Sequence, residues 1–147
     1  MFEVTTARSV GASRAAATAI RYVLFAVFST LVNFLAQHLV VMTLPMAPLF
    51  LSILFGTGIG FAVKYVLDKK WVFEDGYTTN RDEVRKIGLY ALFSVGTTVI
   101  FWAFELSAWF IWHTDFAKYA GGAVGIAIGY FAKYALDKRF VFRTGTL

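Results

Sequence analysis

The residues best suited to chemistry in this 147-residue sequence form one charged segment that occurs twice. The copies run from Lys64 to Phe73 and from Lys133 to Phe142, and both read Lys-Tyr-x-Leu-Asp-Lys-basic-aromatic-Val-Phe. Ammonium and guanidinium groups bind phosphate through charge-assisted hydrogen bonds, and an arginine such as Arg139 can bind it with two donors. The clustered cations therefore predict a site for a phosphate or another anionic headgroup.

The two charged segments belong to a longer internal repeat. Residues 56–73 align with residues 125–142 at an offset of 69, with ten identities in eighteen positions, and the identities include two glycines of the preceding apolar runs. At an offset of 68, Tyr22 and its neighbours align with Tyr90 and its neighbours. Self-similarity at a fixed spacing indicates a tandem repeat.

The composition predicts an integral membrane protein. Hydrophobic residues make up 59% of the chain and charged residues 16%, whereas about 25% charged residues is typical of soluble domains. The stretch 22–63 has no charged residue and is interrupted by Pro45 and Pro48. About 20 apolar residues cross a bilayer, so this stretch is long enough for two spans joined by a proline turn.

The sequence therefore predicts an all-α membrane protein whose four transmembrane helices form two helical hairpins. The predicted divisions are an N-terminal segment 1–20, repeat 1 at 21–75 with spans 22–44 and 49–67, a loop 76–86, repeat 2 at 87–143 with spans 87–112 and 119–136, and a tail 144–147. Lysine and arginine concentrate in the N-terminal segment, the middle loop and the C-terminal segment 137–147. That distribution predicts cytoplasmic termini and a parallel rather than an inverted repeat.

Several classes of function are not supported by the sequence. The net charge is +5, and the basic residues flank the apolar spans. This position favours an anionic lipid over a nucleic acid as the partner. The chain has no cysteine, and no nucleophile with a base, paired membrane carboxylates or metal-type cluster stands out. We expect a protein that is not an enzyme, with no catalytic residue, cofactor or metal.

The glycine runs and the lysines that follow them leave alternatives open. Glycines at steps of four favour close helix packing, or else a groove for an acyl or isoprenoid chain. Lys64 and Lys133 either pair with the aspartates four residues later, extend to the headgroups, or join a phosphate clamp. The aromatic residues after the cations are typical of anchors at the membrane interface. These are Trp71, Phe73, Phe140 and Phe142.

Polar residues inside the predicted spans form a second candidate site. Asn33 and Gln37 share one face of the first span with Thr30, and Glu105 lies about 27 Å along the third span, which also contains Thr98. An intramembrane carboxylate marks a functional site by default. Glu105 is a candidate to carry a coupling proton, bind sugar hydroxyls or contact Gln37.

The chain resembles the GtrA-like family over about residues 18–143. The resemblance rests on Tyr65 and the segment 68–73, on their second copies in 134–142, and on Arg21-Tyr22 and Asn33. It implies a bacterial cytoplasmic membrane protein that moves polyprenyl-phosphate-linked sugars for O-antigen, teichoic acid or arabinogalactan modification. Lysines 64 and 133 depart from the neutral polar residue usual in that family. The predicted substrate-binding residues are Lys64, Tyr65, Asp68, Lys69, Lys70, Lys133, Tyr134, Asp137, Lys138, Arg139, Asn33, Gln37 and Glu105.

Two other functions compete with translocation. The first is a small multidrug-resistance-like exporter that exchanges protons for lipophilic cations at Glu105. The second is a non-transporting partner that anchors a membrane glycosyltransferase through the charged middle loop. For translocation, four short spans leave little room for a polar passage and a second protomer would enlarge it, so we expect a homo-oligomer.

Overall fold

The protein is helical throughout the part of the chain that the structure describes. The computed structural model describes the backbone of residues 2–142 and the side chains of residues 8–142, and these residues contain no strand. Arg143 and the tail 144–147 lie outside the described residues. The helices are α1 (Phe2–Thr43), α2 (Leu49–Leu67), α3 (Asn80–Trp112) and α4 (Asp115–Leu136), with short π-helical turns π1 (Asp68–Val72) and π2 (Asp137–Val141).

Within the described part of the chain, three helices are long and apolar enough to cross a membrane. They cover Arg8–Thr43, Leu49–Val72 and Asn80–Trp112. The prediction of an all-α membrane protein is thereby confirmed, whereas the number of spans and their orientation in the membrane stay predictions. α4 has 22 residues, a length of about 33 Å that is sufficient for a bilayer core. Lysines 118 and 133 and several glycines lower its hydropathy, so a fourth span stays a prediction.

Three helices begin earlier than the predicted spans: α4 by one turn, at Asp115 instead of 119, and α1 and α3 by more. α1 is 42 residues long, or about 63 Å, roughly twice the thickness of a bilayer core. It starts at Phe2 because its first half is rich in alanine, the strongest helix former. α3 starts at Asn80, where the Thr79 side chain accepts a hydrogen bond from the Asp82 amide at 3.3 Å. The predicted loop 76–86 therefore contains the first two turns of α3.

The chain divides into two compact units, Met1–Glu74 and Asp75–Leu147. The first is the α1–α2 hairpin with π1, and the second is the α3–α4 hairpin with π2. The turn between α3 and α4 places His113 in the left-handed region at φ 51°, and Thr114 then caps α4 by accepting from the Ala117 amide. Each unit repeats the same order of elements.

The glycine runs form the packing surface inside each hairpin. A Cβ added at Gly56 would lie 2.6 Å from the Asn33 carbonyl oxygen, and one added at Gly125 would lie 3.0 Å from the Phe101 Cα. Such distances leave no room for a side chain, because the backbones of the two helices approach closely. At these positions the structure supports close helix packing rather than a groove for a lipid chain.

Candidate functional site

Each hairpin contains a buried ion pair at the end of its second helix. The Lys64 ammonium lies 2.5 Å from an Asp68 carboxylate oxygen, and the Lys133 ammonium lies 2.5 Å from the equivalent oxygen of Asp137. Both aspartate side chains are fully buried, while the lysine side chains are 12% and 5% exposed. The predicted i, i+4 pairing is therefore present in both repeats, in a buried setting.

A tyrosine from the first helix of each hairpin completes this arrangement. The Lys64 ammonium lies 3.7 Å from the centroid of the Tyr22 ring, and the Lys133 ammonium lies 3.4 Å from that of Tyr90. Both tyrosines are buried. We call each set of three residues the Lys–Asp–Tyr cluster: Tyr22, Lys64 and Asp68 in the first unit, and Tyr90, Lys133 and Asp137 in the second.

The Lys–Asp–Tyr cluster orients its lysine inward. A buried ammonium needs compensation for its lost hydration, which here comes from the aspartate and the negative face of the tyrosine ring. Removing one partner of such a buried pair typically destabilises a protein by about 3–5 kcal/mol. In the structure neither lysine extends outward, as a lysine does when it reaches for headgroups.

A π-helical turn follows each cluster and folds the chain back. The Phe73 amide donates to the Asp68 carbonyl at 2.9 Å, and the Phe142 amide donates to the Asp137 carbonyl at 2.8 Å. These i, i+5 hydrogen bonds bring each phenylalanine against the tyrosine of its cluster, with ring centroids 6.2 Å and 5.9 Å apart. Such π-turns are frequent at functional sites.

The predicted role of two aromatic residues is therefore wrong. Phe73 and Phe142 were expected to anchor at the membrane interface, but both are buried inside their hairpins. Trp71 and Phe140 are exposed, and each also contacts a phenylalanine of the first helix, at 6.4 Å and 6.3 Å between ring centroids. The periodicity of an α-helix does not anticipate this reversal, because the π-turn shifts the face on which each residue lies.

Three of the four remaining cations of the two turns are exposed. Lys70, Lys138 and Arg139 are exposed, and Lys69 is half-buried. The Lys70 ammonium lies over the Trp71 ring at 4.6 Å, and the Arg139 guanidinium lies over the Phe140 ring at 5.4 Å. In each copy three cations and one aspartate leave a net charge of +2 over seven residues. This arrangement can bind a singly or doubly charged anion from the side of the turn.

Two predicted tyrosines lie beside these groups. Tyr65 is buried, while its counterpart Tyr134 is half-buried. In the first unit, Arg21 also reaches the end of π1, where its guanidinium donates to the Trp71 carbonyl at 3.4 Å. Tyr65 therefore belongs to the packed interior of its hairpin, whereas Arg21 adds a further cation near the π1 turn.

The polar residues of the first span interact locally. The Gln37 amide donates to the Asn33 side-chain oxygen at 2.7 Å, and both half-buried side chains pack beside Gly56. Thr30 and Thr98 donate to carbonyls of their own helices, at 2.8 Å and 3.1 Å. The structure thus unites Asn33 and Gln37 in one pair, whereas the two threonines hydrogen-bond only within their own helices.

Glu105 has a partner that the sequence did not suggest. The Lys118 ammonium of α4 lies 3.9 Å from a Glu105 carboxylate oxygen, and the side chains are 41% and 20% exposed, respectively. An exposed pair at this distance contributes little to stability, roughly 0–1 kcal/mol. The pair lies on the half of its hairpin nearer the α3–α4 turn, distant from the π2 turn.

The cluster tyrosines are the main functional candidates that sequence reasoning missed. Tyr22 and Tyr90 align with each other in the repeat at an offset of 68, and that match was the available signal. It did not reveal a contact, because Tyr22 and Lys64 lie 42 positions apart and meet only when α1 packs on α2.

Comparison with known proteins assigns the chain to a family. The sequence model of the GtrA/DPMS transmembrane domain matches residues 21–142, which include all the helical spans from Arg21 onward and both Lys–Asp–Tyr clusters. No curated protein and no solved structure gives a match. Because the match covers most of the chain, this membrane protein belongs to the GtrA/DPMS transmembrane-domain family, which is linked to the handling of lipid-linked sugars.

Proposed function

We propose that this chain is a membrane translocase, or a component of one, for polyprenyl-phosphate-linked sugars used in modifying cell-surface polysaccharides. The observation that carries the proposal is the duplicated turn, in which a buried Lys–Asp–Tyr cluster is followed by exposed cations: Lys70 in the first turn, and Lys138 and Arg139 in the second. Phosphate attracts such groups through charge-assisted hydrogen bonds. Membership of the GtrA/DPMS family is the reason for proposing a lipid-linked sugar as the substrate.

In this proposal the buried residues of each turn position it, and the exposed residues contact the phosphate. The pairs Lys64–Asp68 and Lys133–Asp137 hold the turn in place, so the exposed cations need little reorganisation when a ligand binds. Lys70, Lys138 and Arg139 then contact the phosphate, with Lys69 beside them. The buried lysines act on the phosphate mainly through their charge and by positioning the turn.

Further parts of the proposal concern the membrane and the sugar. α4 is the fourth span, both termini are cytoplasmic, and the membrane is the bacterial cytoplasmic membrane. The Asn33–Gln37 pair and Glu105 offer hydrogen-bonding groups to sugar hydroxyls along the spans. The protein works without enzymatic activity and as a homo-oligomer, with a membrane glycosyltransferase as a possible neighbour in the same process.

The exporter alternative receives less support. Exchange of protons for cations at Glu105 requires a carboxylate that releases its proton when it binds the cationic cargo. The Lys118 ammonium lies 3.9 Å from that carboxylate, and it opposes the approach of a cationic drug by like-charge repulsion. The lipid-linked sugar is therefore the preferred cargo.

The test is reconstitution of the full chain in liposomes that contain a fluorescent polyprenyl-phosphate sugar. Transbilayer movement is scored by chemical quenching of the outer leaflet, for wild type and for Lys138→Glu/Arg139→Glu. We expect the double variant to lose at least tenfold in rate, because it replaces two exposed cations with anions. Arg81→Glu/Arg85→Glu is the matched control, since both arginines are exposed and the change in charge is the same.

Two results would refute the proposal. One is wild-type movement no faster than in protein-free liposomes, both for the chain alone and after addition of solubilised proteins from its native membrane. The other is an equal loss in the turn variant and in the control variant, which would indicate a general effect of charge on the membrane surface rather than a phosphate site on the turn.

A further inference from the structure

The second hairpin contains an apolar cavity between its two helices. The cavity has a volume of about 330 Å³ and lies in the half of the hairpin near the π2 turn. Leu92, Gly96 and Ile100 line it from α3, while Ala132 and Leu136 line it from α4. This volume lies at the lower end of the range of roughly 300–1,000 Å³ that is typical of ligand pockets.

One charged residue, Lys133, also lines this cavity. Its side chain is almost fully buried, and its ammonium belongs to the second Lys–Asp–Tyr cluster. Lys138 and Arg139 follow five and six residues later, in the π2 turn. The cavity is therefore apolar over most of its surface, and Lys133 in its wall begins a segment, residues 133–139, with a net charge of +2.

We propose that this cavity binds the phosphate-proximal end of an isoprenyl phosphate, with its first isoprene units between α3 and α4 and its phosphate at the Lys133 end. Apolar walls fit a hydrocarbon chain, and the positive segment fits the monoanionic or dianionic phosphate. The inference rests on the proposed function for the isoprenoid, and it adds a specific place where the lipid chain lies.

The glycine at the centre of the cavity wall makes the inference testable. A Cβ added at Gly96 would meet no atom within 4 Å, so a larger side chain can be accommodated without displacing a neighbour. Leucine at this position would fill part of the cavity. Gly58 of α2 is equally open to an added Cβ, which makes Gly58→Leu a matched control in the other hairpin.

The experiment uses the full chain in nanodiscs and a C15 isoprenyl phosphate that carries a photoreactive diazirine on its first isoprene unit. Labelled peptides are identified by mass spectrometry, and affinity is measured by competition with unlabelled farnesyl phosphate. We expect labelling of α3 and α4 near Gly96 and Lys133, at least tenfold weaker binding for Gly96→Leu, and unchanged binding for Gly58→Leu.

Three results would overturn the inference: unchanged binding for Gly96→Leu, labelling outside the α3–α4 hairpin, or displacement by phosphatidylglycerol as effective as that by farnesyl phosphate. The last result would identify an ordinary membrane lipid as the occupant. Translocation by wild type in the same membranes is measured separately. If wild type translocates the sugar lipid while Gly96→Leu binds normally, this inference fails and the proposed function stands.

Discussion

Neutralising Lys133 should destabilise the second hairpin far more than neutralising a neighbouring surface lysine. Lys133→Met keeps most of the side-chain volume but leaves the fully buried Asp137 carboxylate without its ammonium partner. Breaking a buried ion pair in this way costs about 3–5 kcal/mol. The contact with the Tyr90 ring, at 3.4 Å, disappears in the same variant.

The second substitution, Asp137→Asn, distinguishes charge from packing. In Lys133→Met/Asp137→Asn no buried charge is left, and a neutral buried amide lacking a partner costs only about 1–3 kcal/mol. The double variant should therefore recover roughly 2 kcal/mol relative to Lys133→Met alone. Lys138→Met, at an exposed position of the same turn, should stay within about 0.5 kcal/mol of wild type.

The assay is equilibrium unfolding of the full chain in mixed micelles of increasing dodecyl sulfate content, followed by helical circular dichroism. Wild type, Lys133→Met, Asp137→Asn and the double variant are analysed as a double-mutant cycle, and Lys138→Met is measured beside them as the control. The reasoning is refuted if Lys133→Met changes the free energy of unfolding by less than about 1 kcal/mol. It is also refuted if Asp137→Asn adds its own loss to that of Lys133→Met.

Three smaller predictions use the same unfolding assay. Gly56→Ala should cost about 1–3 kcal/mol by overpacking the α1–α2 contact, whereas Gly58→Ala should be neutral or slightly stabilising because its added Cβ meets open space; equal effects would contradict the packing described for α2. Glu105→Gln should change stability by less than about 1 kcal/mol, since its pair with Lys118 is partly exposed, and a larger loss would indicate a deeper role. Thr114→Ala should cost about 0.5–2 kcal/mol through the lost α4 cap, and full stability would show that this cap is dispensable.

Local patterns in the sequence were sufficient to predict the four α-helices. The apolar runs and the prolines predicted helices, and α2 begins and ends at the residues expected for it, Leu49 and Leu67. The starts of α1, α3 and α4 were predicted late, because charged or polar residues mark the end of an apolar run but not the end of a helix. Alanine-rich and capped segments continue as helix into water.

The candidate site was predicted only in part, because local patterns do not show contacts between distant segments. The repeat located Lys64, Asp68 and their second copies, and helical spacing placed each pair on one face. It could not show that a tyrosine from the preceding helix covers the lysine, or that a π-turn returns Phe73 and Phe142 to the interior. The sequence by itself determined which residue types recur and where the helices lie. Only the tertiary structure decided which of the cations are buried, because burial depends on contacts between segments far apart in the chain.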